Sequence, residues 1–574
     1  MLWSLLRFYV FFPALVGLGA GFFVLAFIFL LDVLSYLLLE NLLGLEIPKP
    51  AGLGENSGGF GSISSHAYFL PLILGLGALI SEIPIQLFAK EAHGMSGDAV
   101  VQAYHKKRKL SLKTSLVKLF SAAVVIGSGG PAGRLSPSAL MGAGVADSVA
   151  KVFRLSPSER RILIAVGFGA GLSAVLKAPL AGAIMSSEVF FKRDFEAQAL
   201  LPSFIASVVS YSIFGSVYGF EPLFSVSVEP FSERGAGDIL LFAGLALLCA
   251  LAVKIFIFFF SFLRKLFEGG FKSPYFRVLI GGVLAGFVCF LFPSAVSGGL
   301  GWLQIVLDGE YNSIYTLLSG LMGMFLGTSF LLGSGASGGI FGPSLVIGGF
   351  LGAIYGVCIG NLLEIPVDIP SFAIIGMVSF LAGIVNAPLA NIILVSEITG
   401  GYELLVPSMI SVFITYLLTS KDTVFPSQLD TRFDSPAYRS DLGMFILERL
   451  RVGDFMNRAV VVYPEDSVKK AHHLMEKQLV GGIPVVEGDY LVGIVTRSDI
   501  LKIPTEERER KRIKDIMTTE VETVTPEDTL SEALKIMVGK GIGRLPVVEK
   551  RGSRKLVGII ARADIGKAIR ENLP

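Results

Sequence analysis

A chain of 574 residues that is 52% hydrophobic, with a mean hydropathy of +0.67, lies far outside soluble composition and is long enough for several domains. A net charge of +2 argues against nucleic acid as a partner. Cys249, Cys289 and Cys358 are isolated in apolar surroundings, the five histidines form no metal-ligand spacing, and no nucleophile–base pair or P-loop is found. Disulfide, metal and enzyme readings are therefore set aside.

Charge is unevenly spread: about 44 of the 96 charged residues fall in the last 134 positions, which predicts a membrane body followed by a soluble tail. Phe8 to Leu31 is an uncharged run long enough to span a bilayer, behind Arg7, and reads as a retained helix. Leu70 to Leu87 is the next candidate, interrupted only by Glu82. His93 and Asp98 are read as loop residues, and Lys106, Lys107, Arg108, Lys192, Arg193, Arg264 and Lys265 as cytoplasmic charge by the positive-inside bias. Val278 to Leu307 and Ile369 to Ser396 carry no charge, nor do the 53 residues from Tyr311 to Leu363.

The middle of that last run is GSGASGGIFGP, which cannot continue as one helix. It repeats an earlier stretch. At an offset of 206, Gly127, Ser128, Gly129, Gly133, Pro137, Ser138 and Gly142 recur as Gly333, Ser334, Gly335, Gly339, Pro343, Ser344 and Gly348. At an offset of 209, Ala178-Pro179-Leu180-Ala181 recurs as Ala387-Pro388-Leu389-Ala390, and Ser187-Glu188 as Ser396-Glu397. Two halves, about 10–220 and 235–420, follow. Broken backbone at membrane depth survives only when buried in protein or lining a cavity, and matched breaks in two halves point to a midplane site between them. A glycine-rich break followed by Pro and a new helix leaves backbone N–H groups unpaired, and such a helix start attracts anions. Packing is the usual role of small residues in membrane helices, but the duplicated Gly–Pro motif favours a site. Glu188 and Glu397 read as structural partners at helix ends. Arg134, the only charge in either motif, either raises the potential for an entering anion or snorkels to an interface.

These motifs resemble the CLC family of chloride channels and proton-coupled chloride transporters. Gly339-Ile340-Phe341-Gly342-Pro343 is similar to the family's G-x-F-x-P anion motif. Gly133-Arg134-Leu135-Ser136-Pro137 lies where the family has G-R-E-G-P, in a context, GSGGPAGR, close to its GSGGSAGR; LKAPLAGAIMSSEVFFKRDF resembles the segment that follows. The resemblance implies a homodimer with one anion path per subunit, backbone amides of Ile340 and Phe341 on the central anion, and an anion site that includes Gly133, Arg134, Leu135, Ser136, Gly339 and Phe425. It also implies departures. The gating and proton-relay glutamate is replaced by Leu135, and the second proton glutamate falls on or near Val189. The tyrosine facing the anion is replaced by Phe425, and the serine of G-S-G-I-P aligns with Met95, with Ser96 as its substitute if the register slips by one. Each lost hydroxyl weakens a desolvated anion by about 1–3 kcal/mol.

After about residue 420 the chain turns polar, and 421–449 reads as a linker. The tail then repeats itself: Val452-Gly453-Asp454-Phe455-Met456 as Ile513-Lys514-Asp515-Ile516-Met517, and Ile483-Pro484-Val485-Val486 as Leu545-Pro546-Val547-Val548. Each unit reads as strands alternating with amphipathic helices. The pair resembles tandem CBS domains, at 450–505 and 510–570. That resemblance implies an adenine nucleotide in the cleft, with Thr496, Asp499 and Asp564 as candidate contacts; the alternative is that both aspartates only cap helices.

The expected fold is an all-α polytopic membrane domain of two inverted repeats (1–420) followed by a soluble α/β CBS module. The expected function is passive, proton-independent transport of chloride and other small anions by a homodimer in a prokaryotic cell (inner) membrane, surrounded by lipid, with its tail in the cytoplasm and no cofactor required. The rivals are a proton-coupled exchanger using other acidic groups such as Glu188, and a non-transporting membrane sensor reading nucleotides through the CBS pair. A divalent-cation path needs acidic ligands at membrane depth that the repeats do not offer.

Overall fold

The computed structural model describes residues 5–54, 66–106, 109–226, 236–310, 313–438 and 447–572. Lys107 and Arg108 of the basic run, and part of the expected linker, lie outside them. The chain divides into two compact units, Met1–Ala437 and Tyr438–Pro574.

The first unit is helical. Its first half comprises α1 (Phe12–Ser35), α2 (Leu70–Phe88), α3 (Ser96–Lys106), α4 (Leu112–Gly127), α5 (Leu135–Val152), α6 (Pro157–Leu176), α7 (Pro179–Glu188) and α8 (Ala197–Tyr218). The second comprises α9 (Ala236–Gly270), α10 (Pro274–Leu291), α11 (Leu300–Leu307), α12 (Ile314–Gly333), α13 (Phe341–Leu363), α14 (Ile369–Val385), α15 (Pro388–Thr399) and α16 (Leu405–Thr419). Among the described residues, seven helical stretches are long and apolar enough to cross a membrane. Large apolar side chains such as Phe22, Phe29, Val217, Leu240 and Phe258 stand exposed on α1, α8 and α9, as a lipid-facing surface requires.

Helices α5, α6, α13 and α14 are buried along most of their length, so they form the centre of the unit. They cross at glycines. A side chain at Gly142 would strike the carbonyl of Gly167, and one at Gly348 the carbonyl of Gly376, so each repeat uses the same backbone-on-backbone contact. The breaks match too. Lys177 (φ 54°) and Asn386 (φ 57°) are left-handed and lead through an Ala-Pro step into α7 and α15.

The two glutamates pin the repeats together. Glu188, the last residue of α7, accepts from the amides of Leu389 (3.0 Å) and Ala390 (2.8 Å) in the first turn of α15. Glu397, near the end of α15, accepts from Leu180 (2.9 Å) and Ala181 (2.7 Å) in the first turn of α7. Each carboxylate satisfies orphan donors and opposes the positive end of the partner helix. Such mutual capping requires α7 and α15 to run antiparallel, so the equivalent elements of the two repeats are inverted.

Residues 421–437 are polar yet belong to the first unit rather than to a linker. The amides of Lys192 and Arg193 donate to Leu429 (2.9 Å) and Asp430 (3.1 Å), Arg432 grips Asp194 through two nitrogens, and His105 meets Ser435 at 2.9 Å. Composition marks this stretch as polar; its hydrogen bonds to the α7–α8 connection decide where it packs.

The second unit holds two similar halves. In the first, α17 (Val452–Phe455) and α18 (Val468–Lys477) precede the antiparallel pair β1 (Gly482–Glu487) and β2 (Tyr490–Thr496), then α19 (Arg497–Leu501). In the second, α20 (Leu530–Gly539) precedes β3 (Arg544–Val548) and β4 (Leu556–Ala561), then α21 (Arg562–Asn572). Each half has its own apolar core, around Val468, Met475 and Val485 in one and Leu530, Met537 and Val547 in the other. They also exchange edges. Asn457 pairs with Ile559 on β4 and Thr518 with Ile494 on β2, each through two backbone bonds of 2.9 Å. Neither half leaves those edges open.

Candidate functional site

The repeated glycine motifs meet. The amide of Gly133 donates to the carbonyl of Gly339 at 2.8 Å. A Cβ on Gly133 would lie 2.7 Å from Gly342 N and 2.8 Å from Pro343 Cδ, and one on Gly339 would lie 2.7 Å from Ser136 Oγ. The starts of α5 and α13 thus pack glycine on glycine, and only glycine allows the approach. Each motif turns into position through a left-handed glycine, Gly129 (φ 97°) and Gly335 (φ 90°).

Arg134 caps α5 and Leu135 is its first residue, while Ile340 caps α13 and Phe341 is its first residue. Pro137 and Pro343 carry no N–H. The amides of Arg134, Leu135 and Ser136, and of Ile340, Phe341 and Gly342, have no hydrogen-bond partner among the described residues. Two helix starts therefore bring unpaired donors together at one place. Ser136 Oγ is buried and has no partner among the described residues either. Leu135, Ser136, Ile340 and Phe341 are each 1% exposed, so these donors are buried, where polar interactions are stronger than at the surface.

Side chains close the place. The rings of Phe341 and Phe425 lie 5.9 Å apart, and Phe425 presses on Gly97 of α3. Met95 bridges to Gly338, and the Ser96 hydroxyl donates to the Gly338 carbonyl at 3.1 Å. Met95 and Ser96 thus reach the second motif together, and the Ser96 proton is committed to backbone. Arg134 lines a separate cavity of about 50 Å³ with Asp32, whose carboxylate also meets Lys49 (3.4 Å) and the Tyr218 hydroxyl (3.2 Å). Asp98 lies in the first turn of α3, not in a loop, and accepts from the amide of Ser427 at 2.9 Å.

Val189, on or near which the family resemblance places the second proton glutamate, is fully buried. Its carbonyl accepts from Gln428 Nε2 at 2.8 Å, and the same amide group reaches the Val385 carbonyl at 3.0 Å. Gln428 ties the end of α7 and the end of α14 to the segment that carries Phe425. Sequence reasoning missed it, because a glutamine in a polar stretch gives no signal of its own.

In the second unit, Thr496 caps α19 and donates to Asp499 at 2.6 Å, while Asp499 accepts from the Thr496 amide at 3.1 Å. Asp564 accepts from the Ala561 amide at 2.8 Å. These contacts are those of helix caps. Asp528, on the same unit, is held below the usual carboxylate range, against the effect of its own partial burial, by the Thr525 amide and the Arg551 guanidinium.

Comparison with known proteins agrees with this architecture. The model of the voltage gated chloride channel family matches residues 77–420, and CBS domain models match 452–506 and 513–571. An uncharacterized protein of Methanocaldococcus jannaschii is 32% identical over 336 residues, covering 58% of this chain and 82% of its own. The H(+)/Cl(-) exchange transporter ClcA of Klebsiella pneumoniae strain 342 is 30% identical over 390 residues, covering 65% and 81%. Among solved structures, a slow cyanobacterial Cl-/H+ antiporter superposes with a TM-score of 0.61 at 24% identity, over 73% of this chain and 96% of the other. A eukaryotic CLC transporter superposes with a TM-score of 0.57 at 20% identity, over 98% and 99%. The chain belongs to the CLC family of chloride channels and transporters, with C-terminal tandem CBS domains.

Proposed function

We propose that the chain carries chloride and other small anions passively across the membrane, without moving protons in exchange. The observation that carries this reading is Leu135, buried as the first residue of α5 where the family resemblance implies a carboxylate. A carboxylate there competes with the anion for the same donors and can carry a proton; leucine can do neither. Fewer side-chain donors and no competing charge favour fast exit, which conduction needs.

The relatives named as proton exchangers raise the opposite reading, coupling through another acid. Glu188 is the nearest candidate, and both its oxygens are held by the amides of Leu389 and Ala390. A carboxylate that caps a helix with both oxygens is poorly placed to leave and return with a proton. Val189 has no titratable group. The archaeal and bacterial relatives support a prokaryotic cell membrane, and the basic residues Lys192, Arg193, Arg264 and Lys265 support a cytoplasmic side that would also hold the CBS unit. We assign the homodimer on family membership.

The test is simultaneous chloride and proton flux from proteoliposomes. Chloride efflux with no uphill proton movement is expected. Stoichiometric proton pumping driven by a chloride gradient would overturn the reading, and absence of any anion flux would leave the sensor alternative.

A further inference from the structure

The two half-sites have the same backbone but are backed by different chemistry. At Gly129 the space in front of the left-handed glycine is filled by Leu70, Leu39 and Val296. At Gly335 it is filled by His93 and Arg277: a Cβ there would lie 3.0 Å from His93 Nε2 and 3.2 Å from an Arg277 terminal nitrogen. Those two groups meet each other at 2.8 Å. The other ring nitrogen, Nδ1, lies 2.7 Å from Glu82 Oε1. Glu82 is fully buried in α2, and Gln86 donates to the same oxygen at 2.5 Å.

The geometry fixes the tautomer. Arg277 can only donate, so Nε2 must present its lone pair and the ring proton sits on Nδ1 toward Glu82. A second proton on Nε2 would set two donors against each other and remove the bond that holds Arg277 on the glycine. The protonated ring would carry a positive charge beside the Glu82 carboxylate, whose Oε1 lies 2.7 Å from Nδ1. Histidine is the side chain whose charge ordinarily changes across physiological pH.

Arg277 and His93 stand on the wall of a cavity of about 230 Å³ that is also lined by Met95, Gly333 and Gly335, so the pair sits between that cavity and the second half-site. The other charged groups around the ring are already engaged. Glu91 accepts from Thr114 at 2.5 Å, Asp98 is bonded to Ser427, and Arg264 pairs with Glu268 on α9 at 3.0 Å. Lys118 on α4 donates to the carbonyls of Ala92 (3.0 Å) and Gly94 (2.9 Å) on either side of His93, and Lys90 lies in the same turn. Helix α12 contributes no charged group between Ile314 and Gly333, and its one tyrosine, Tyr315, is exposed at the far end of the helix from Gly333.

We infer that His93 is a positioning residue through which pH on one side of the membrane acts on the second half-site: its protonation releases Arg277 from Gly335 into the cavity, where the guanidinium draws anions toward the path. This inference rests on the passive reading above, and it predicts pH-sensitive flux without proton movement.

The experiment is chloride efflux from proteoliposomes, with pH varied separately on each side between 8 and 5 and proton movement recorded in parallel. Flux should rise by at least about threefold on acidifying one side only, through accumulation of anions near a released positive charge. His93→Gln can still donate to Glu82 and accept from Arg277, so it should keep the flux seen at pH 8 and lose the rise. Arg277→Gln, which lacks the charge that protonation releases, should flatten the same profile. A wild-type profile that is flat on both sides, or a rise retained in His93→Gln, overturns the inference while leaving passive transport intact. Stoichiometric proton movement overturns the passive reading instead. The wild-type, two-sided measurement needs no variant, so a variant that fails to fold does not remove the test.

Discussion

The first half-site, Gly127 to Gly142, and the second, Gly333 to Gly348, are built from the same backbone and dressed with different side chains. Both turn at a left-handed glycine, both start a helix, and the two pack glycine on glycine. The first presents Arg134 and Leu135 and is backed by apolar groups; the second presents Ile340 and Phe341 and is backed by His93 and Arg277. The shared part supplies unpaired amides, so the anion affinity proposed for the path would follow from the repeat itself. What differs between the copies is where control can enter: a leucine where the family resemblance implies a carboxylate on one side, the His93–Arg277 contact on the other.

The most damaging way to break the symmetry is to add a methyl group where the copies touch. Gly133→Ala or Gly339→Ala is expected to abolish chloride flux and lower stability by about 1–3 kcal/mol, since the added Cβ meets backbone or proline that cannot yield. Efflux assays and thermal unfolding in detergent check both. Leu135→Glu sharpens the contrast from the other direction. The ionised carboxylate should slow flux at pH 8 by about tenfold, equal to about 1.4 kcal/mol of competition, and release it on acidification. Flux that stays unchanged at every pH would show that Leu135 does not lie on the path.

The capping pair tests whether the repeats are mechanically equivalent. Glu188→Gln and Glu397→Gln should each lower stability by about 1–2 kcal/mol, because each loses a charged cap on the opposite repeat. Neither should create or abolish proton coupling; a proton flux that vanishes only in Glu188→Gln would identify that residue as a carrier. A smaller effect belongs to Asp194, which the Arg432 guanidinium lowers from 3.8 to about 2. Its stabilising contribution is present above the unfolded value and disappears as pH falls from about 4 to 2. After solvent screening it amounts to at most about 1 kcal/mol. An Asp194→Asn chain should therefore lose less stability than wild type over that window, measured as the shift in unfolding midpoint. Least of all is expected from nucleotides. A site filled at a hundred times its Kd would add about 2.7 kcal/mol of stability. Because Thr496 and Asp499 are already joined in a cap, ATP, ADP and AMP should shift the unfolding midpoint of the full chain by no measurable amount.

The sequence alone carried the architecture: a long uncharged body with a charged tail, a 206-residue repeat of a glycine motif, and a second repeat within the tail. These are legible because hydropathy and helix breaks act locally, through the solvent around each segment and the φ values each residue permits. A structural role for Glu188 and Glu397 at helix ends could be read from the repeated Ser-Glu; that each caps the other's helix could not. Contacts between distant segments were decided only in three dimensions. Residues 421–437 look like a linker by composition and are bonded to the α7–α8 connection. Gln428 gives no signal and joins both repeats to Phe425. Glu82 stood out as the one charge in its span, but nothing in the chain order says that it meets His93, or that His93 and Arg277 together cover Gly335. Such pairings depend on which buried groups are left needing partners once the helices have packed, and that is a property of the tertiary fold.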